Sequence, residues 1–290
     1  MPLDPSLLLF FMAPLFIGCF AAEIYYYWRK KQPIYNLKDT LSNLALALMY
    51  QAADILFTLL IVKTVYTTVF NHGFHWFSHS TLGNLVLLVV LQDFFYYCFH
   101  LAAHKIRWLW ASHSTHHSST RLNFSTAFRQ SMTYPLSGMW LFWLPLALIG
   151  FTPDLVLFVV AINLAFQFFV HTQLVNKLSF IEKIFNTPSH HRAHHATNAQ
   201  YIDKNFAGIF IFWDKLFGTF ILEEEVPRYG VLPQLASHNP LILTFHEWQA
   251  MLAAVIKTRD LRHLWMSPGW SKQQLLTPKT PTTLKVSTKC

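Results

Sequence analysis

The chain has 290 residues, of which 53% are hydrophobic, 17% aromatic and only 12% charged. A water-soluble domain needs a far more polar surface, so this composition excludes an ordinary soluble enzyme and points to a chain that lives in a bilayer. Its formal charge of +8 is compatible with nucleic acid as a partner, but the basic residues sit in loops between apolar runs, which favours a membrane reading and no nucleic acid.

A bilayer core is crossed by about 20 apolar residues in a helix. Five runs approach that length: residues 7–28 (LLLFFMAPLFIGCFAAEIYYYW), 41–61, 82–99 (LGNLVLLVVLQDFFYYCF), 134–151 and 155–170. Pro14 predicts a kink in the first, and Gly150 and Pro153 a tight turn between the last two. No Lys or Arg precedes the first run, so it is read as a membrane helix rather than a cleaved signal peptide. Cys19, Cys98 and Cys290 form no pair at disulfide or metal-ligand spacing.

The charges order these runs. Arg29, Lys30, Lys31 and Lys38 follow the first; Lys105, Arg107, Arg121 and Arg129 follow the third; the remaining basic residues follow the fifth. Lys63 alone falls in a loop on the opposite side. That asymmetry places the loops after runs one, three and five in the cytoplasm, of a bacterial inner membrane or an endoplasmic reticulum. The expected fold is all-α: an integral membrane bundle of about four to five helices with a cytoplasmic, histidine-rich helical cap. Residues 1–80 form N-terminal membrane helices, 81–225 a catalytic domain, 226–266 a loop and amphipathic helix using Trp248, Leu252, Val255 and Ile256, and 267–290 a disordered tail.

Ten of the sixteen histidines cluster on the side assigned to the cytoplasm. His100 and His104 (HLAAH) close run three. His113, His116 and His117 (HSTHH) lie just beyond. His171 ends run five, and His190, His191, His194 and His195 fill SHHRAHH. Spacings of three and four put each set on one helical face, so three elements can aim about eight imidazoles at one centre. One divalent ion takes four to six ligands, and eight suit two. Neutral imidazole suits Zn, Cu, Fe and Ni, and a shell without carboxylate fits two ferrous ions that meet oxygen. His72, His75, His79, His238, His246 and His263 read as structural.

Other polar residues share faces with these boxes. Asp93, an ionisable residue inside run three, lies one helical face above His100 and His104 and is a candidate to orient a ligand ring. Asn163 and Gln167 lie on the face of run five that leads to His171. Three rivals have weaker support. A zinc hydrolase would use HExxH, and His246-Glu247 has no second histidine at that spacing. A bis-histidine haem carrier would place its pairs on facing membrane helices, and a metal transporter would line a pore near mid-membrane.

HLAAH, HSTHH and HRAHH resemble the three histidine boxes of the fatty acid hydroxylase/sterol desaturase superfamily. HHSSTRLNFSTAFRQS, QFFVHTQLVN, NTPSHHRAHHATNAQYIDKNFAGIFIFWDKLFGTF and SPGW resemble in particular its alkylglycerol monooxygenase branch, although Thr120 stands where that branch has an acidic residue. The resemblance implies a membrane-bound oxygenase with two iron ions that hydroxylates or desaturates an alkyl chain of a lipid or sterol with O2. Its electrons would come from an external donor or electron-transfer partner, with tetrahydrobiopterin as the donor of the branch. It assigns His100, His104, His113, His116, His117, His171, His191, His194 and His195 as ligands and leaves His190 an open candidate. Asp203, Lys204, Asn205 and Asp214 become scaffold behind the ligands.

Overall fold

The structure is a computed structural model that describes residues 5–79 and 81–276. Among these residues it is helical throughout, with no strand beyond two isolated bridges. α1 (Pro5–Arg29) is apolar on all sides and runs uninterrupted through Pro14. α2 (Leu37–Phe57) begins at Asn36, whose side chain accepts the amide of Asp39 as an N-cap. A π-helical turn at Thr58–Val62 joins it to α3 (Lys63–Asn71) without a break. Lys63 is therefore a residue of a helix that continues to Asn71, not of a loop: the chain meets neither Gly nor Pro until Gly73. α4 (Leu82–Lys105), capped by Thr81, leads through Ile106 into α5 (Arg107–His117).

The fourth apolar run does not form a membrane-length helix. It divides into α6 (Tyr134–Ser137), a 3-10 turn at Met139–Trp143 and α7 (Leu144–Ile149). Gly138 and Gly150 interrupt it with left-handed backbones at φ 88° and 114°, and Pro135 and Pro145 each begin a new helix. It nevertheless travels the length of the bundle. Tyr134 stands beside His113, whereas Leu148 and Ile149 accept the amides of Phe74 and Trp76 at the opposite end. Such broken backbone survives at membrane depth because protein surrounds it: Tyr134, Trp143, Leu146, Ala147 and Phe151 are buried in the main core with Tyr66, Leu88 and Phe99. Gly150 is required there, since a Cβ would stand 2.5 Å from the backbone of His75.

α8 (Pro153–Val170) then returns to the histidine end. At 1.5 Å per residue its 18 residues span about 27 Å, close to one bilayer core. Four helices are long and apolar enough to cross a membrane: Leu7–Arg29, Leu37–Asn71, Leu82–Lys105 and Pro153–Val170. The protein is thus an integral membrane bundle of four continuous helices and one broken passage.

The cap comprises α5, α9 (Pro188–His194), α10 (Phe212–Phe217), α11 (Pro240–Thr258) and α12 (Pro268–Leu276). α11 is rotated from the face expected: Leu243, Thr244, Met251 and Ala254 are buried against the cap, while Leu252 and Ile256 are exposed. Polar anchors decide that rotation. Thr115 donates to the carbonyl of Leu243, and Arg107 pairs with Glu247 at 2.8 Å. The expected disordered tail is also helical in its first part. α12 is tied down by Ser271, which is buried and bonded to Arg107 and His263; residues 277–290 lie outside the described residues.

Candidate metal centre

Three helix ends and one helix exit converge on one spot. His100 and His104 sit on the last turns of α4, and the chain bends at Ile106 so that α5 carries His113, His116 and His117 back over them. His171 is the C-cap of α8. α9 begins with Pro188 and contributes His191, His194 and His195. Its start is fixed by Glu182, which accepts from Thr187 and Ser189. Arg192 forks onto Glu223 and onto the carbonyls of Thr172 and Val175, tying α9 to the segment after His171.

Nine imidazoles divide into two groups. His100, His104, His113, His117 and His194 offer ligand atoms within 4.8 Å of one another, and so do His116, His171, His191 and His195. Every one of the nine is buried. His190 joins neither group. Its buried ring packs against Phe220 and its Nε2 has no hydrogen-bond partner.

The outer nitrogens of most rings are held by the protein. His100 Nδ1 donates to the carbonyl of Phe206 at 2.8 Å, His116 Nδ1 to Arg129 at 3.1 Å, His171 Nδ1 to Gln167 at 2.6 Å and His194 Nδ1 to Lys204 at 2.9 Å. His113 Nδ1 meets the hydroxyl of Tyr134 at 2.5 Å. His104 Nδ1 stands 3.6 Å from an Asp203 oxygen. Burial pushes the pKa of His113, His116, His117, His191, His194 and His195 well below the ordinary imidazole value, and His171 down to about 4. For Asp203 burial opposes the charged form, but its contacts with His104 and Lys105 hold it at about 2.

These constraints make the inner geometry diagnostic. A neutral imidazole carries one proton. With Nδ1–H spent on a carbonyl, the Nε2 atoms of His116 and His171 are bare lone pairs, yet they stand 3.1 Å apart. His100 and His194 are fixed in the same tautomer, with Nε2 atoms 3.0 Å and 3.2 Å from those of His113 and His117. Lone pairs facing each other repel, and burial removes the proton that would bridge them. A shared cation resolves the conflict: two nitrogens about 2.1 Å from one ion, at right angles, stand about 3.0 Å apart. The donor set is neutral and nitrogen-only, which suits Fe, Zn, Cu or Ni.

The polar residues singled out in the sequence act on this cluster mostly through backbone. Asp93 does not touch a histidine. Its oxygens accept from the amides of Ile209 and Phe210, the indole of Trp213 and the side chain of Asn163. It thereby fixes the segment whose Phe206 carbonyl orients His100. Asp214 holds the amides of Phe206 and Ala207 in the same segment. Asn163 reaches Asp93 and Gln92, and Gln167 holds Asn163 with its side chain while its own carbonyl takes His171. Asn205 bonds the carbonyls of His190 and Ile221, not a ring. Sequence reading passed over Tyr134, and over Arg129, whose buried guanidinium is fixed by Asp39, Asn43, Ser118 and Thr115. Arg129 was read as a loop charge; a basic residue in a stretch of Ser, Thr and Asn was the signal for a buried network.

Two cavities border the cluster, each against different histidines. One, about 220 Å³, is apolar, lies among α1, α2, α4 and α8, and touches His113, His116 and His171. The other, about 350 Å³, is bounded by His104, His117, His194 and His195 together with Lys105, Trp110, Asp203 and Lys272.

A buried cluster of nine imidazoles, at the end of a membrane bundle and beside an apolar cavity, defines the class: a membrane protein with histidine groups that could hold metal ions. Residues 85–219 match the family model described as fatty acid hydroxylase, so the chain carries a fatty acid hydroxylase domain. Among curated proteins it is similar to the alkylglycerol monooxygenase of Homo sapiens, 37% identical over 267 residues, or 89% of this chain and 58% of that protein. The alkylglycerol monooxygenase of Danio rerio is 35% identical over 263 residues, 89% of this chain and 58% of that protein. The ornithine lipid hydroxylase OlsE of Rhizobium tropici is 29% identical over 150 residues, 51% of this chain and 45% of that protein. The chain thus spans little more than half the length of the alkylglycerol monooxygenases it matches. No solved structure matches it.

Proposed function

We propose that the protein is a membrane-bound lipid hydroxylase holding two iron ions, one in each histidine group. The observation that carries this reading is the contact between the apolar cavity and His113, His116 and His171. An alkyl chain entering from the bilayer ends against the metal ligands. His100, His104, His113, His117 and His194 would hold one ion; His116, His171, His191 and His195 the other. When bound, the ions supply the redox chemistry that couples O2 to an unactivated C–H bond. Overall, a C–H, O2, two electrons and two protons give an alcohol and water.

The chain's own groups supply the setting. Phe16, Phe99, Phe128, Trp143 and Phe168 line the cavity and keep it dry. Carbonyls of Phe206, Arg129, Gln167 and Lys204 hold the rings in the tautomer that leaves Nε2 free. The second cavity is the route we assign to an external electron donor, because four ligand histidines border it from the more polar side. By similarity to alkylglycerol monooxygenases, the substrate is an alkylglycerol; tetrahydrobiopterin as donor rests on the resemblance of the histidine boxes and their flanks to that branch. The basic residues of the histidine end support a cytoplasmic face for it. Two of the three rivals fit less well. Glu247 is spent on Arg107 and His246 on the carbonyl of Leu243, so no HExxH-type site forms, and nine clustered imidazoles exceed the two axial ligands of a haem.

The test is lipid profiling of membranes with and without the protein, supplied with O2 and tetrahydrobiopterin. A lipid gaining one oxygen supports the reading. A lipid losing two hydrogens assigns the same centre to desaturation. An unchanged profile, with alkylglycerol present, overturns the substrate.

A further inference from the structure

The apolar cavity is not apolar everywhere. Tyr50 of α2 and Tyr96 of α4 both line it, and among the described residues neither hydroxyl has a hydrogen-bond partner. Trp143, 3% exposed, lines it too, and its indole N–H is also unpartnered. A protein rarely leaves three such donors unmet around one space. The third phenol of the cavity, Tyr134, shows what a paired one looks like: its hydroxyl is committed to His113.

Of the two free phenols, Tyr96 stands against a ligand ring and Tyr50 against Tyr134, whose hydroxyl meets the ligand His113. The ring of Tyr96 stands 5.5 Å from that of His100, and the ring of Tyr50 stands 6.1 Å from that of Tyr134. They approach from two different helices. A plain hydrocarbon filling the cavity would leave both hydroxyls dry and unbonded, whereas an oxygen atom within the chain would accept from them. The carbons next to that oxygen would then be fixed beside His113 and His116.

Resting on the lipid-hydroxylase reading, we propose that Tyr50 and Tyr96 set the register of the substrate. They hold an oxygen substituent of the lipid chain and so decide which carbon faces the histidines. They are positioning residues, and nothing in the relatives' names assigns them this role. Binding selectivity follows: a chain bearing an oxygen is preferred over an alkane of equal length, and each phenol contributes a part of the preference.

The experiment uses the full-length chain in lipid–detergent micelles and two probes with a terminal bromine, an alkyl glycerol ether and an alkane of the same length. Bromine quenching of Trp143 fluorescence reports occupancy, and Trp143→Phe identifies that signal. Wild type is expected to bind the ether probe about 10-fold or more tightly than the alkane. Tyr50→Phe and Tyr96→Phe should each weaken the ether by about 3- to 10-fold, the effect of one hydrogen bond, and leave the alkane unchanged. A structural role for the tyrosines would weaken both probes together and overturns the proposal. Equal affinities in wild type, insensitive to both variants, overturn the proposal and leave the lipid cavity standing. Failure of both probes to reach Trp143 overturns the cavity reading itself and the proposal with it.

Discussion

Replacing Asp93 with Asn tests how the scaffold reaches the metal centre. One carboxylate oxygen accepts from the Ile209 amide at 2.6 Å and Asn163 at 2.9 Å; the other accepts from the Phe210 amide at 2.9 Å and Trp213 at 3.1 Å. Whichever way an Asn is turned, its NH2 faces two donors, so two charge-assisted bonds are lost. At about 1.5–3 kcal/mol for each bond to a charged group, the loss is about 3–6 kcal/mol, a large part of a typical folding stability of about 5–15 kcal/mol. The damage is also directed. Residues 206–210 carry the Phe206 carbonyl that orients His100, and losing such an orienting partner costs about 10- to 100-fold in metal affinity. The assay is thermal loss of monodisperse protein in detergent, alongside metal per chain. Asp93→Asn should melt well below wild type and lose metal from the five-histidine group first, while Asn163→Ala, which removes one of the four donors to Asp93 together with bonds to Gln92 and Gln167, leaves both backbone amides on the carboxylate and should keep the metal. An Asp93→Asn protein with wild-type melting and full metal would refute this account of the segment.

Gly208→Ala should reproduce the Asp93→Asn phenotype in melting and metal content, because its Cβ would stand 2.5 Å from Asp93 Oδ1 and 2.7 Å from Asn163 Nδ2. His194→Ala and His116→Ala should each abolish activity and lower bound iron while the protein stays in the membrane fraction, measured by metal analysis; full activity in either excludes that residue as a ligand. His190→Ala should keep its full metal complement, since the ring lies in neither group; loss of one ion per chain would make His190 a ligand after all. The metal-free protein should lose thermal stability on acidification. His171 is lowered to about 4 in the folded state against an ordinary value of 6.5, so the unfolded chain takes up the proton first. The stability present above about 6.5 then falls as the pH drops toward 4, and a melting temperature flat across that range would contradict it.

Much of this was legible in the sequence because spacing alone carries it. HLAAH, HSTHH and HRAHH place imidazoles on single helical faces, and the bundle had only to bring those faces together. The fourth run was harder. Its composition is that of a membrane helix, but Gly138, Gly150 and the two prolines divide it, and what keeps a divided backbone in place is the long-range packing of Trp143 and Phe151. Asp93 was recognised as unusual, yet its partners are amides more than 110 residues away. The carbonyls that orient the rings leave no mark in a sequence at all. α11 was misjudged in rotation because its buried face is chosen by Arg107 and Thr115, not by hydrophobicity.

The most direct measurement is the metal content and its division in purified protein. Two non-haem irons per chain, with Ala at His194 and at His116 each depleting the ion of its own group, is the result predicted here. A single zinc, a haem absorption band, or two irons that persist in both variants would contradict the two-group centre.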